Sequence, residues 1–363
     1  MAGNSTPLKE TLEQALRLPE IDGDACVHAL LDRAGCAACV EACPRDAWIL
    51  DEDALGLDTA GCDGCGLCIP ACPRGALHLR LPWVIRSLGS QQVALFACER
   101  SAVKGDSARL PCIHALGDRQ LLLLYNAGVH YLLLASGGCQ GCERDMDDGI
   151  GKRLERINLL LAERRKPPMK LLERDPRVWE RIHQADEVVT RGTRLARRAF
   201  LRGGTRQIRE QMVVLDPLNL PETRTLPPGE LLPESSADQE ALHWPWSVGL
   251  DAQRCNGCDA CTRLCPTQAL ELVREEEGSP AYRITTARCD GCGLCLSVCE
   301  EEAVTLEPWS LGKPGTLPLV ERRCRSCGNG YHLPGDNPLS GSGLCRICQQ
   351  RDHASNLFQV LQE

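Results

Sequence analysis

CNGCDACTRLCP, residues 255–266, places four cysteines in eleven residues and closes on a proline. A near copy follows at Cys289, Cys292, Cys295 and Cys299, and another, CDGCGLCIPACP, lies far upstream at Cys62, Cys65, Cys68 and Cys72. A looser variant, GCAACVEACP, supplies Cys36, Cys39 and Cys43, with Cys26 the nearest thiol before it. The 24 cysteines of the 363-residue chain fall into four groups: eight in residues 26–72, four in 98–142, eight in 255–299 and four in 324–348. The first and third groups read as two copies of one module, an internal repeat.

So many thiols serve either a disulfide scaffold or metal binding. Disulfide scaffolds are short and secreted. This chain is long, and its first residues, MAGNSTPLKETLEQALRLPE, lack the basic start and apolar core of a secretory signal. No apolar run approaches the roughly 18 residues that cross a membrane; the longest patches are LLLLY and YLLLA. The expectation is a soluble, cytoplasmic protein of a reducing compartment, without membrane insertion, whose cysteines hold metal. Aromatic residues make up only 4% of the chain, which points to small modules held together partly by their metals rather than to one large core.

The pattern C-x2-C-x2-C-x3-C-P resembles that of bacterial two-cluster ferredoxins, whose fourth cysteine ligates the other cluster of the pair. The resemblance covers residues 24–80 and 250–307 and implies four [4Fe-4S] clusters and one-electron transfer. Carried over by the crossed rule, it implies the sets Cys255, Cys258, Cys261 with Cys299, and Cys289, Cys292, Cys295 with Cys265. In the first module it implies Cys62, Cys65, Cys68 with Cys43, and Cys36, Cys39, Cys72 with Cys26. That last set carries an insertion between Cys26 and Cys36; if Cys26 does not reach, a three-iron or water-ligated cluster results. Glu300, not proline, follows Cys299. Zinc is the competing reading of the paired runs.

FACE, LPCIHALG and GVHYLLLASGGCQGC, within residues 93–142, resemble the iron–sulfur (delta) subunit of methyl-viologen-reducing hydrogenases. That family is a small α/β domain with a [2Fe-2S] cluster, here matched by Cys98, Cys112, Cys139 and Cys142. Ser101 stands where the family often has a further cysteine. Zinc, or four incidental buried thiols, are the alternatives. His114 is near Cys112 and reads as a structural histidine rather than a ligand. VALFAC, VHYLLLASGG and MKLLE read as strands, with helices over GDRQLLLLYNAG, DGIGKRLERINLLLAERRK and PRVWERIHQADEVV, which makes a small parallel α/β sheet.

Near the C-terminus, Cys324, Cys327, Cys345 and Cys348 have the C-x2-C-x17-C-x2-C spacing of a zinc ribbon. A rubredoxin-like iron uses the same geometry, and His332 and His353 read as bystanders. Residues 151–210 hold 17 Lys and Arg against 8 Asp and Glu, in a chain of net charge −8. Within them ARRAFLRGG, with Arg197, Arg198, Phe200 and Leu201, resembles a twin-arginine export signature. It lies deep in the chain with no apolar segment after it, and reads as a docking patch for an acidic partner surface. Nucleic-acid motifs are missing, and neither a Walker loop nor a G-x-G-x-x-G occurs.

The expected architecture is α+β and multidomain: an N-terminal helix (1–23), a first ferredoxin-like module (24–85), a central parallel-sheet α/β domain (90–192), a basic segment with a Pro-rich linker (193–247), a second ferredoxin-like module (248–310) and a zinc-ribbon-like knuckle (320–352). The expected function is a non-catalytic electron-transfer subunit in a hetero-oligomer. By resemblance, its catalytic partner is a hydrogenase, a formate dehydrogenase or a heterodisulfide-reductase-like complex. The alternative is an accessory or maturation factor for a metal-dependent oxidoreductase such as formate dehydrogenase.

Overall fold

The computed structural model describes residues 17–184 apart from 52–54, 90, 106 and 147; residues 218, 219 and 223–235; and residues 242–350 apart from 276, 277, 313 and 314. The expected docking patch ARRAFLRGG lies outside these residues, and so does His353. Of the expected N-terminal helix only residues 17–23 are described, and they hold a turn and a short strand. The chain divides into two compact units, Met1–Asp32 with Cys36–Glu240, and Arg33–Gly35 with Ala241–Glu363.

The first unit opens with β1 (Glu20–Ile21), α1 (Val27–Leu30), α2 (Ala38–Glu41), β2 (Trp48–Leu50), β3 (Leu55–Leu57), α3 (Cys68–Ala71) and β4 (Leu77–His78). β1 pairs antiparallel with β4, and β2 with β3. One-turn helices and two- or three-residue strands cannot persist alone. Their shared core is Trp48, Cys68, Ile69 and Leu77, with Cys39, Cys43 and Cys72 packed against it. Four of the eleven residues of this cluster are cysteines, so its stability is tied to what those sulfurs hold.

The unit continues with β5 (Val84–Leu88), β6 (Gln91–Cys98), β7 (Arg109–Leu110), α4 (Asp118–Asn126), β8 (Tyr131–Ala135), α5 (Ile150–Glu163), β9 (Lys170–Glu173) and α6 (Pro176–His183). β6, β8 and β9 lie parallel in that order. Five consecutive residues of β6, Val93 to Ala97, are buried, as befits a strand covered on both faces. The other edge of β6 carries β5, antiparallel, and then β7, parallel. β5 crosses residue 85, where the first module was expected to end, and its pairing is with the central sheet. α4 stops short of Gly128, whose φ of +82° ends the helix in the left-handed form. α5 buries the stripe Ile150, Leu154, Ile157 and Leu161. Asp175 caps α6, and Trp179 on that helix is buried, its indole N–H donating to the Leu133 carbonyl at 3.2 Å.

The expectation of a Pro-rich linker is corrected for residues 218, 219, 223–235 and 242–247. Leu218, Leu231 and Leu232 are buried. The Asn219 side chain pairs with both backbone groups of Leu81, at 2.9 and 3.1 Å. Arg119 donates to the Leu226 carbonyl and Asn126 to that of Leu231. The leucines between the prolines give this segment a buried face that its proline content concealed.

The second unit runs β10 (Leu242–Leu250), α7 (Ala260–Leu264), β11 (Leu270–Arg274), β12 (Pro280–Ile284), α8 (Leu294–Val298), β13 (Val304–Gly312), β14 (Gly315–Arg323), β15 (Gly330–Pro334) and α9 (Arg346–Gln350). β10 pairs antiparallel with β13 from Leu242↔Gly312 to Leu250↔Val304, so residues 242–247 are strand. A second sheet has the order β11-β12-β14-β15. The cysteine-bearing C-terminal knuckle therefore continues the sheet of the module before it.

Candidate metal centres

All four cysteine runs end in the same turn. Cys43, Cys72, Cys265 and Cys299 each accept, at Sγ, the backbone N–H of the alanine four residues on: Ala47 at 3.4 Å, Ala76 at 3.3 Å, Ala269 at 3.2 Å and Ala303 at 3.2 Å. The residue before each alanine, Asp46, Gly75, Gln268 or Glu302, has positive φ, which swings the amide back onto the sulfur. The alanines are 1–2% exposed, and a larger side chain has no room.

The turns bring distant thiols together. Cys26, Cys36, Cys39 and Cys72 line one cavity in the first module, and Cys265, Cys289, Cys292 and Cys295 line its counterpart in the second. Cys43 adjoins Cys62, while Cys62 and Cys65 adjoin Cys68, close enough for each to oppose ionisation of the next. Cys255 has Cys258 and Cys299 beside it, and Cys261 has the same three. Burial pushes Cys65, Cys68, Cys261 and Cys289 up to about 12, and Cys39 and Cys295 to about 11. Without a cation these thiols keep their protons, and a metal ion bound among them would take the protons' place.

Within the central domain, Cys98 ends β6 and Cys112 follows β7, while Cys139 and Cys142 lie in the loop after β8. Burial, with Cys98 and Cys139 beside it, raises Cys112 to about 11, and Cys139 in turn has Cys98 and Cys142 as neighbours. Cys112 also packs in one buried cluster with Cys65 and Leu67 of the first module. Arg144 spans the two. Its guanidinium donates twice to Asp63 Oδ2, at 3.0 and 2.8 Å, and once to the Pro111 carbonyl at 2.8 Å, and it lies 3.6 Å from Glu99. Burial alone would raise Asp63, but Arg144 holds it below the usual carboxylate range. His114 lies beside this group, its Nε2 3.4 Å from Cys139 Sγ.

In the C-terminal knuckle the four sulfurs of Cys324, Cys327, Cys345 and Cys348 all lie within 4.8 Å of one another. Cys327 and Cys345 are 3.9 Å apart, matching the separation of about 3.8 Å that a tetrahedron with zinc–sulfur bonds of about 2.3 Å requires. Among the described residues no other such group closes as tightly. A cube of irons and sulfides holds its thiolates farther apart, so this set suits a single ion. The amides of Cys327 and Cys345 bring Cys324 down to about 6, ready to ligate. His332 does not approach these sulfurs. Its Nε2 sits 2.7 Å from Asp259, which also accepts the Tyr282 hydroxyl at 2.6 Å.

Two segments match models described as 4Fe-4S dicluster domains, residues 34–77 and 254–303. Among curated proteins, none matches the chain. The chain thus carries two iron–sulfur domains of ferredoxin type, the class whose members carry electrons. The first match begins after Cys26, and neither reaches the central or C-terminal cysteines. No helix among the described residues is long and apolar enough to cross a membrane.

Sequence reasoning did not single out Arg144, Asp63, Asp259 or the four alanines. Only the alanines had a signal: CPRDA, CPRGA, CPTQA and CEEEA repeat one spacing. Arg144 and Asp63 are 81 residues apart and meet only in the fold.

Proposed function

We propose that the chain is an iron–sulfur electron-transfer subunit, relaying single electrons between a catalytic redox enzyme and an acceptor. In this reading four [4Fe-4S] clusters are held by Cys26, Cys36, Cys39, Cys72; by Cys43, Cys62, Cys65, Cys68; by Cys255, Cys258, Cys261, Cys299; and by Cys265, Cys289, Cys292, Cys295. A [2Fe-2S] cluster falls to Cys98, Cys112, Cys139 and Cys142, and zinc to the C-terminal four. Such clusters supply one-electron chemistry when bound. The protein's part is to hold their thiolates, exclude water and fix the spacing.

The observation that carries the reading is the packing of Cys65 against Cys112, clamped by Arg144. Two thiol groups of separate modules sharing one apolar cluster is what transfer between centres demands, and a purely structural role does not require it. The partner is the catalytic subunit of a hydrogenase, formate dehydrogenase or heterodisulfide-reductase-like complex.

The test is anaerobic purification of the tagged full chain with its native partners. A mature, cofactor-loaded catalytic subunit in fixed ratio is expected, and Cys65→Ala should stop electrons from that subunit reaching the acceptor while binding persists. Capture of a cofactor-free precursor alone overturns the carrier and leaves a maturation factor.

A further inference from the structure

His114 follows Cys112 by two residues and is buried. Both of its ring nitrogens are engaged. Nδ1 accepts the backbone N–H of Ile150, the first residue of α5, at 3.1 Å. Nε2 faces Cys139 Sγ at 3.4 Å. The ring packs close over Gly149, where an added Cβ would come within 2.9 Å of its Cε1. Its own carbonyl is held by Arg153 Nη1 at 2.8 Å.

The two contacts together settle the tautomer. An amide N–H pointing at Nδ1 needs a lone pair there, so in the neutral ring the proton sits on Nε2. Nε2–H then points at the Cys139 sulfur as a donor. Ligation of a metal through Nε2 demands the opposite: a lone pair on Nε2 and a proton on Nδ1, which would set two donors against each other at the start of α5.

We propose that His114 is a positioning residue of the central site: it donates an N–H···S hydrogen bond to the Cys139 thiolate, is not itself a ligand, and raises the reduction potential of the cluster held there. The inference rests on the reading of Cys98, Cys112, Cys139 and Cys142 as a [2Fe-2S] site. A donor to a ligating sulfur withdraws charge from it and so favours the more negative, reduced state. The central site would then be an easier electron acceptor than the same four cysteines without His114.

The experiment uses the full chain, purified anaerobically with its clusters and labelled with ¹⁵N-histidine. Pulsed EPR on the reduced central cluster should show one weakly coupled nitrogen, the signature of a ring hydrogen-bonded to sulfur. A strongly coupled nitrogen bound to iron overturns the proposal. In redox titration, His114→Leu should move the midpoint potential of that signal downward at unchanged iron content. His114→Gln, which keeps an N–H near the same place, should recover part of the shift. An unmoved potential in His114→Leu with the cluster intact also overturns it. Cys112→Ser separates the two layers: if it leaves the iron content and every EPR signal unchanged, the central cluster itself is absent and both readings fall. The nitrogen coupling is read on the unsubstituted protein, so it decides even if a variant misfolds.

Discussion

At the scale of single residues, the same turn recurs with different chemistry. Gly75, Gln268, Asp46 and Glu302 occupy equivalent positions with positive φ. Only at Gly75 would a Cβ collide with another backbone, at the Arg224 carbonyl, and with Arg119. Gly75→Gln should therefore cost about 3 kcal/mol or more, since the left-handed conformation adds roughly 1–2 kcal/mol to the overlap. Gln268→Gly should stay within about 1 kcal/mol of the unsubstituted protein, because glycine takes that conformation freely while gaining entropy in the unfolded chain. Thermal melts of the two variants decide.

Asp118 makes a second prediction at this scale. The residue is half-buried, but its Oδ1 is sealed from solvent with no hydrogen-bond partner, and burial raises it to about 6 despite Arg153 and Arg156. A raised folded-state value means protonation favours the fold. That contribution is complete below an ordinary carboxylate pKa and is lost as pH climbs through about 6. Asp118→Asn should stabilise the protein by about 2 kcal/mol at pH 7.5 and leave it nearly unchanged at pH 4. Arg153 and Arg156 keep Asp148 as their partner, so the substitution strands no cation. Equal gains at both pH values would refute the assignment.

At the scale of elements, Arg144 ties the loop of Cys62 and Cys65 to the segment before Cys112. Arg144→Ala should cost about 3 kcal/mol, because it strands Asp63 in a half-buried site. Arg144→Lys should recover little, since an ammonium cannot reproduce the fork that reaches Asp63 and Pro111 together. A double-mutant cycle with Asp63→Asn should return a coupling of at least 1 kcal/mol, measured by denaturant unfolding. This clamp was invisible in the sequence, because GCERD offers no periodicity and its partner lies far upstream. The strands β6, β8 and β9 and the helices α4 and α5 were legible, for their leucine runs and stripes are local. β5 was not, because VIRSL carries no clear alternation. Leu218 and the packed segment 223–235 read as linker because prolines were weighed and the leucines between them were not. The cysteine grouping was legible through its spacing, whereas the role of His114 depends on where α5 begins.

At the scale of the molecule, the C-terminal knuckle is continuous with the second ferredoxin-type domain. β14 pairs with β12 and then β15 with β14. Asn337 donates to the carbonyls of Gln253 and Cys255, both at 2.9 Å, and the backbone of His332 abuts Gly257 too closely for any Cβ there. Chelating the ion from Cys324, Cys327, Cys345 and Cys348 should thus reach beyond the knuckle. Hydrogen exchange of residues 253–259 should rise at least tenfold, while residues 36–77 of the other unit stay unchanged. Uniform exchange in both would show that the knuckle is merely appended.

That continuity also sets a clock on synthesis. Cys299 leaves the ribosome before His332 and Asn337, which later cover the Cys255 loop. At about 5–20 residues per second, the loop stands open for on the order of 2–8 seconds after its last thiol has emerged. Iron and sulfide are most easily delivered to it in that interval. Where translation runs ahead of delivery, the strand that protects the finished site would shut out its own cargo.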